Sequence, residues 1–333
     1  MAVRVGINGF GRIGRDFLRA VVDRGDTGIE VVAANDVMDP ATAAHLLRYD
    51  STYGPWRRQI TTDPHGMHID GMTIRMNHDY DPSLLAWDDV GVDVVVESTG
   101  RFRTRDAAAA HLRAGARKVV LSAPGKGVDG TFVMGVNDGD YDPKRHHVIS
   151  NASCTTNCVA PMLLVLHREF TVRRGLLTTI HSYTNDQNVL DGPHKDMRRA
   201  RSAAVNMIPT TTGAAKAVGE VLPALAGKLD GVAVRVPIDD GSLSDLTVEL
   251  DEQVTVAEIN AAFADASIGD LKGILRYSDE PLVSRDIVGD ESSCVFDAGL
   301  TRIADGLVKV FGWYDNEWGY TARLVDLVRL VGA

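Results

Sequence analysis

A short β-branched run at residues 3–7 feeds directly into Asn8-Gly9-Phe10-Gly11-Arg12-Ile13-Gly14 and then into an amphipathic stretch at 15–22. Strand, glycine turn and helix in that order leave few folds open. In Gly9-x-Gly11-x-x-Gly14 the first glycine permits a tight turn and the second lets a pyrophosphate approach the backbone. The third lets helix and strand pack closely, with the helix N-terminus facing the phosphates. Plain glycine-rich turns show the same pattern, so context decides. A second apolar run, 30–34, ends in Asn35-Asp36, which puts Asp36 22 residues after Gly14. At that spacing a carboxylate meets an adenosine ribose diol; elsewhere such an Asp is a helix cap or turn residue.

The alternation continues. Runs at 92–97 and 118–121 read as parallel strands, with an alanine-rich helix pattern at 105–116 between them. Residues 39–82 are less regular, with a helical stretch at 41–47 and then short pieces that suggest extra antiparallel strands. Glu97-Ser98-Thr99-Gly100 and Ser122-Ala123-Pro124-Gly125 fall at strand ends, on the carboxyl edge where an open α/β sheet binds its ligand.

With 333 residues the chain has room for about two domains and a sizeable core. A net charge of -10 withholds the positive potential that a general nucleic-acid binder or an acidic-membrane binder needs. Three cysteines, Cys154, Cys158 and Cys294, are too few and too odd in number for a disulfide framework, which points to a reducing compartment. No apolar run approaches membrane-spanning length, and the N-terminus lacks the regions of a signal peptide. The expectation is a cytoplasmic protein without membrane or specific nucleic-acid partners.

Almost midway lies Ser150-Asn151-Ala152-Ser153-Cys154-Thr155-Thr156-Asn157-Cys158, after a strand-like run at 147–149 and before an apolar helix-like run at 159–170. Most cysteines are small buried residues, but a thiol at a helix start near cations is favoured as thiolate, the nucleophilic form. A strand-like run at 175–180 delivers His181 at its end, 27 residues after Cys154. A lone strand-end histidine is usually structural, whereas a Cys–His pair supplies a nucleophile and its base together. Cys158 follows Cys154 by four residues without the further ligands of a zinc site, so no metal is expected. Pro161 leaves the helix start open: from Cys154 it would bend the interior, and from near Asn157 it would sit in the first turn.

Residues 185–206 are polar and hold the cluster Lys195-Asp196-Met197-Arg198-Arg199-Ala200-Arg201, which reads as a solvated face, an anion site or a subunit contact. Thr210-Thr211-Thr212-Gly213 opens a helix and suits either an ordinary cap or a phosphate. Runs at 232–236 and 246–250 read as strands of a mostly antiparallel sheet. Arg235 in the first needs an anionic partner, Asp, Glu or a substrate phosphate. The chain closes with a strand at 307–313, the aromatic stretch around Asn316, and an amphipathic helix at 321–331.

Together these stretches resemble the phosphorylating glyceraldehyde-3-phosphate dehydrogenases, in residues 6–14, 150–158, 181–186, 209–218 and 313–320. The resemblance implies a Rossmann NAD-binding α/β domain over 1–153 and 317–333, an α+β catalytic domain over 154–316 with a mostly antiparallel sheet, and a homotetramer. It implies that Cys154 attacks glyceraldehyde 3-phosphate with His181 as base, that hydride passes to NAD, and that inorganic phosphate cleaves the thioester. Thr184 and Arg235 would hold the substrate's phosphate; Ser153, Thr155, Thr212 and Gly213, with Arg199 near, the attacking one. Asn8, Gly9, Gly11, Arg12, Ile13, Asp36, Ser122 and Asn316 would hold the cofactor, and 185–206 would lie against a neighbouring subunit's cofactor.

The resemblance also frames cofactor choice. Asp36 repels a 2′-phosphate, Val37 offers it no hydroxyl, and Pro193 stands where NADP-using relatives tend to carry serine, so NAD is favoured over NADP; Gly192 leaves the pocket roomier than usual. Ile238-Asp239-Asp240 departs from uncharged family residues. These carboxylates would weaken phosphate binding if turned toward Arg235 and change little if turned away. Three further readings stand beside the main one: erythrose-4-phosphate dehydrogenase, opposed by Tyr183-Thr184 and Thr211-Thr212-Gly213; an inhibitor-resistant duplicate; and a dinucleotide- or RNA-binding protein with a vestigial site.

Overall fold

The computed structural model describes residues 2–64 and 66–333, which form two compact units. One runs to Phe132 and takes in Asp138–Ala152 and Thr321–Ala333; the other is Val133–Asn137 with Ser153–Tyr320.

The first unit opens with β1 (Val3–Asn8), α1 (Arg12–Arg24), β2 (Ile29–Asn35), α2 (Pro40–Arg48), β3 (Ile60–Asp63), β4 (Gly66–Ile69) and β5 (Met72–Asn77). It continues through β6 (Val94–Glu97), α3 (Arg105–Ala108), α4 (Ala110–Arg113), β7 (Lys118–Leu121), β8 (Gly130–Thr131) and β9 (Val148–Ser150). The sheet order is β3-β4-β5-β2-β1-β6-β7-β9-β8, and every pair from β5 to β8 is parallel. β3, β4 and β5 pair antiparallel, as the irregular stretch suggested. The alanine-rich stretch breaks into the two short helices α3 and α4.

β1 has β2 on one side and β6 on the other, so successive crossovers leave it in opposite directions. Such a reversal opens a crevice beyond the carboxyl ends of the strands. The glycine turn sits there, and two of its glycines are required by the local backbone: Gly9 has φ +94°, and a Cβ on Gly14 would lie 2.2 Å from the Gly9 carbonyl oxygen. Register sets Asn8 beside Asn35 and Glu97 on the two neighbouring strands.

The second unit carries α5 (Cys154–Phe170), β10 (Val172–Ser182), β11 (Ile208–Thr211), α6 (Ala214–Val221), β12 (Leu229–Val236) and β13 (Ser242–Leu250). Next come α7 (Val256–Ile268), β14 (Leu275–Ser278), β15 (Cys294–Asp297), β16 (Arg302–Ala304) and β17 (Leu307–Tyr314); α8 (Trp318–Gly332) follows, most of it counted with the first unit. The order is β11-β12-β10-β13-β17-β15-β14 with β16 on β17, and only β10/β12 and β14/β15 are parallel. Alternating burial along β13 shows one apolar face, on which Met162, Leu163 and Leu166 of α5 meet Leu246, Val248 and Val310. Phe263 of α7 stacks on Phe296 with centroids 3.8 Å apart. Among the described residues no helix is long and apolar enough to cross a membrane.

Candidate active site

The chain enters α5 through Ala152 at φ +55°, a left-handed conformation that costs a non-glycine residue about 1–2 kcal/mol. Ser153 then caps the helix, its Oγ accepting from Thr156 N–H at 3.1 Å. Cys154 is therefore the first helical residue, among backbone N–H groups that favour negative charge. Pro161 falls in the helix interior, and α5 runs on through it. Asn157 Nδ2 donates to the Ser153 carbonyl, tying the cap to the first turn.

His181 lies near the end of β10, opposite Arg235 in the parallel β10/β12 register. Its Nε2 is 3.4 Å from Cys154 Sγ, and the ring is buried. The Ser182 carbonyl accepts from His181 Nδ1 at 2.7 Å and from Arg235 Nη1 at 2.9 Å; convergence on that oxygen explains the 2.7 Å approach of the two donors. This assigns the ring proton to Nδ1 and leaves the Nε2 lone pair facing the sulfur. Burial pushes the imidazole down to about 3, and Arg235 adds to the shift. Burial likewise pushes the Cys154 thiol up, while Arg235 and Thr155 pull it back. Burial disfavours both charged forms, so the resting pair is a neutral thiol facing a neutral imidazole lone pair.

Beneath the pair, Tyr314 OH is 2.9 Å from Thr155 Oγ1 and 2.7 Å from Thr179 Oγ1, and its ring stands edge-on to His181 at 5.9 Å. Asn316 Oδ1 accepts from Ser182 Oγ at 2.9 Å and Ser242 Oγ at 2.6 Å, so the amide is held in one orientation. Arg235 Nε is buried with no hydrogen-bond partner among the described residues, as suits a cation awaiting an anion. Arg199 is already engaged: it pairs with Asp186 at 2.5 Å and donates to Thr210 Oγ1 and the Thr211 carbonyl. Thr212 Oγ1 accepts from Ala214 N–H at the start of α6, and Gly213 lies exposed beside it. Thr184 stands in the loop after β10, partly exposed.

Neither Asp239 nor Asp240 bonds to Arg235. Asp239 pairs with Arg285 at 3.1 Å, while Asp240 is buried and hydrogen-bonded to the Asp315 carboxyl group.

In the first unit a cavity is lined by Asn8, Gly9, Gly11, Asp36, Val37 and Thr99, among others. The Asp36 carboxylate accepts from Phe10 N–H at 2.7 Å and Met38 N–H at 3.0 Å, which fixes it at the rim. A Cβ on Gly11 would meet nothing within 4 Å, so the turn is open where a pyrophosphate would lie. These features fit a dinucleotide. Arg12, Ile13 and Ser122 do not line the cavity; Arg12 turns to Asp50 at 2.8 Å and sits over the Tyr53 ring.

Residues 3–105 match the NAD binding domain of glyceraldehyde 3-phosphate dehydrogenase, and residues 153–316 match its C-terminal domain. The chain belongs to the glyceraldehyde-3-phosphate dehydrogenase family. Over its whole length, and 99% of each relative, it is 57% identical to glyceraldehyde-3-phosphate dehydrogenase of Geobacillus stearothermophilus and 56% to that of Streptomyces coelicolor. The Mycobacterium bovis enzyme of the same name is 55% identical over the same shares. As a glyceraldehyde-3-phosphate dehydrogenase the chain is an NAD-dependent oxidoreductase of glycolysis, with a Rossmann domain and a C-terminal catalytic domain.

Several residues of the site carry little signal in the sequence. Tyr314 is only one of several C-terminal aromatics in the sequence, Ser182 lies in the 181–186 stretch with no role of its own expected, and Ser242 gives no signal. In the cavity, Asn35, Asp79, Tyr80, Arg101 and Phe102 join the wall. The position of Arg101 and Phe102 just past a strand end was the available clue.

Proposed function

We propose that Cys154 and His181 carry the oxidative phosphorylation of D-glyceraldehyde 3-phosphate to 1,3-bisphosphoglycerate. The observation that carries this reading is the 3.4 Å contact between Cys154 Sγ, at the α5 N-terminus, and His181 Nε2. As the thiol adds to the aldehyde carbon, Nε2 takes its proton, giving a thiohemiacetal on Cys154. The developing oxyanion is met by the Cys154 backbone N–H and by the protonated Nε2–H. Nε2–H passes its proton to that oxyanion, and the freed Nε2 takes the hydroxyl proton back as hydride leaves the same carbon, so a thioester on Cys154 results. NAD, when bound, accepts the hydride. Inorganic phosphate attacks the thioester carbon, releasing the acyl phosphate and returning the thiol.

Arg235, with its unpartnered Nε, and Thr184 bind the substrate's phosphate. Ser153, Thr155, Thr212 and Gly213 bind the attacking phosphate, and Arg199 lends positive charge once it gives up Asp186. Asn316, with its oxygen committed to two serines, presents its NH₂ to the nicotinamide carboxamide. Asn8, Gly9, Gly11 and Asp36 hold the rest of the dinucleotide, with Arg12, Ile13 and Ser122 at its periphery. On this reading 1–153 and 317–333 form the NAD domain and 154–316 the catalytic domain of a cytoplasmic homotetramer. The exposed apolar side chains of Val189, Leu190 and Met197 in the 185–206 segment support a subunit contact there. The test is phosphate-dependent NADH formation from the aldehyde, run beside erythrose 4-phosphate; equal rates after Cys154→Ser would end the proposal.

A further inference from the structure

A buried polar network underlies the cavity of the first unit. Glu97, at the end of β6 and 3% exposed, is its acceptor centre. Its Oε1 accepts from the N–H and the hydroxyl of Thr99, at 2.9 and 2.5 Å. Its Oε2 accepts from Asn8 Nδ2 at 2.6 Å and His111 Nε2 at 2.9 Å. His111, wholly buried, has its other nitrogen opposite Trp87 Nε1–H at 3.0 Å. An indole N–H only donates, so His111 Nδ1 accepts and the ring proton sits on Nε2, aimed at Glu97. Two donors on one oxygen also explain why Asn8 Nδ2 and His111 Nε2 come within 3.3 Å.

The order propagates into the cavity wall. With its NH₂ committed to Glu97, Asn8 turns its oxygen to Asn35 Nδ2 at 2.8 Å, and Asn35 turns its own oxygen to Asp79 N–H at 2.9 Å. Asn8, Asn35, Asp79 and Thr99 line the cavity; Glu97, His111 and Trp87 do not.

We propose that Glu97, held by His111 and Trp87, is a positioning residue for NAD: by accepting four hydrogen bonds it presets the Asn8 and Asn35 amides and Thr99 in the dinucleotide pocket. This rests on reading that cavity as the dinucleotide site. The chemistry explains why a carboxylate stands there. All four partners donate, so an isosteric amide would turn its own NH₂ against two of them, leaving buried donors unsatisfied. A scrambled wall must then be reordered at each binding event, which weakens affinity without touching the cysteine site.

The test is calorimetric titration of NAD into wild type, Glu97→Gln and Asp36→Ala, with ¹⁵N NMR of His111. In Glu97→Gln the Kd for NAD rises at least about tenfold, while iodoacetamide alkylates Cys154 in the cofactor-free protein at the wild-type rate. In wild type the spectrum shows the proton on His111 Nε2. Trp87→Phe, which deletes one N–H and keeps the ring packing, leaves the buried His111 Nδ1 without its donor and loosens the ring's hold on Glu97, so it also weakens NAD while the proton stays on Nε2 opposite the carboxylate. It decides the matter should Glu97→Gln fail to fold. A wild-type Kd in both Glu97→Gln and Trp87→Phe, with Asp36→Ala weakened, overturns the positioning role alone. Unchanged affinity in Asp36→Ala as well overturns the pocket reading, and this proposal with it. A proton found on His111 Nδ1 in wild type refutes the hydrogen-bond order directly.

Discussion

Replacing His181 with asparagine removes the lone pair 3.4 Å from Cys154 Sγ and little else, since Arg235 and the α5 N-terminus stay where they are. General-base assistance of this kind is worth about 10²–10⁴ in rate, or about 3–5 kcal/mol of barrier. Burial holds the imidazole down to about 3, which keeps its lone pair free at every working pH but makes it a weak base toward a thiol that the same burial raises, so the lower part of that range is expected here. Without the base, attack must wait for the thiol to ionise in solvent, so log kcat climbs with pH at a slope of about one where wild type is flat. KM for the aldehyde changes far less if Arg235, the proposed ligand of its phosphate, stays in place. Stopped-flow NADH formation between pH 6 and about 9 reads both quantities. A folded His181→Asn enzyme that keeps more than about a third of wild-type kcat, with an unchanged pH profile, refutes the assignment.

Arg235→Leu takes away the cation that pulls the thiol down, so iodoacetamide alkylation at neutral pH slows and KM for glyceraldehyde 3-phosphate rises; faster alkylation would contradict the electrostatics. Gly14→Ala forces a methyl to 2.2 Å from the Gly9 oxygen, an overpacking worth about 1–3 kcal/mol, read as a lower Tm and weaker NAD binding. Burial pushes the Asp315 carboxyl up to about 6, above an unfolded value of about 4, while its hydrogen bond to Asp240 eases the shift. A raised folded pKa means stability present below pH ~4 and lost as pH rises through ~6, at up to about 1.4 kcal/mol per pH unit. Asp240→Asn supplies a donor that needs no titrating proton, so urea midpoints measured from pH 4.5 to about 7.5 flatten in the variant. Parallel curves for variant and wild type would show that the pair does not share a proton.

What the sequence made legible follows from range. The β1–turn–α1 unit is a local object, in which a period-2 run, three spaced glycines and a 3.6-residue period act within about 20 residues. Cys154 at a helix start is equally local, although Pro161 leaves the start of α5 open in the sequence; the Ser153 cap fixes it, with Pro161 in the interior. The Cys154–His181 pairing is longer in range but was reachable, because both residues sit at element ends. Arg199 shows the limit. As a cation in a basic cluster it suggested an anion site, yet the fold gives it Asp186, a partner chosen by loop packing. Asp240, five residues after Arg235, would weaken phosphate binding if turned toward that arginine, but it lies between β12 and β13, buried and hydrogen-bonded to Asp315. The Glu97 network was invisible for the same reason: Trp87, His111 and Asn8 meet only once β1 and β6 pair.

The proposed reaction passes through a covalent thioester at Cys154, and that species can be seen. Enzyme, NAD and glyceraldehyde 3-phosphate mixed without inorganic phosphate should yield one equivalent of NADH per site by absorbance, read before the sample is acid-quenched and digested. A phosphoglyceroyl adduct should appear on the peptide carrying Cys154, and added phosphate should discharge it as acyl phosphate. An NADH burst with no adduct on Cys154, or an adduct that phosphate leaves untouched, would contradict the account.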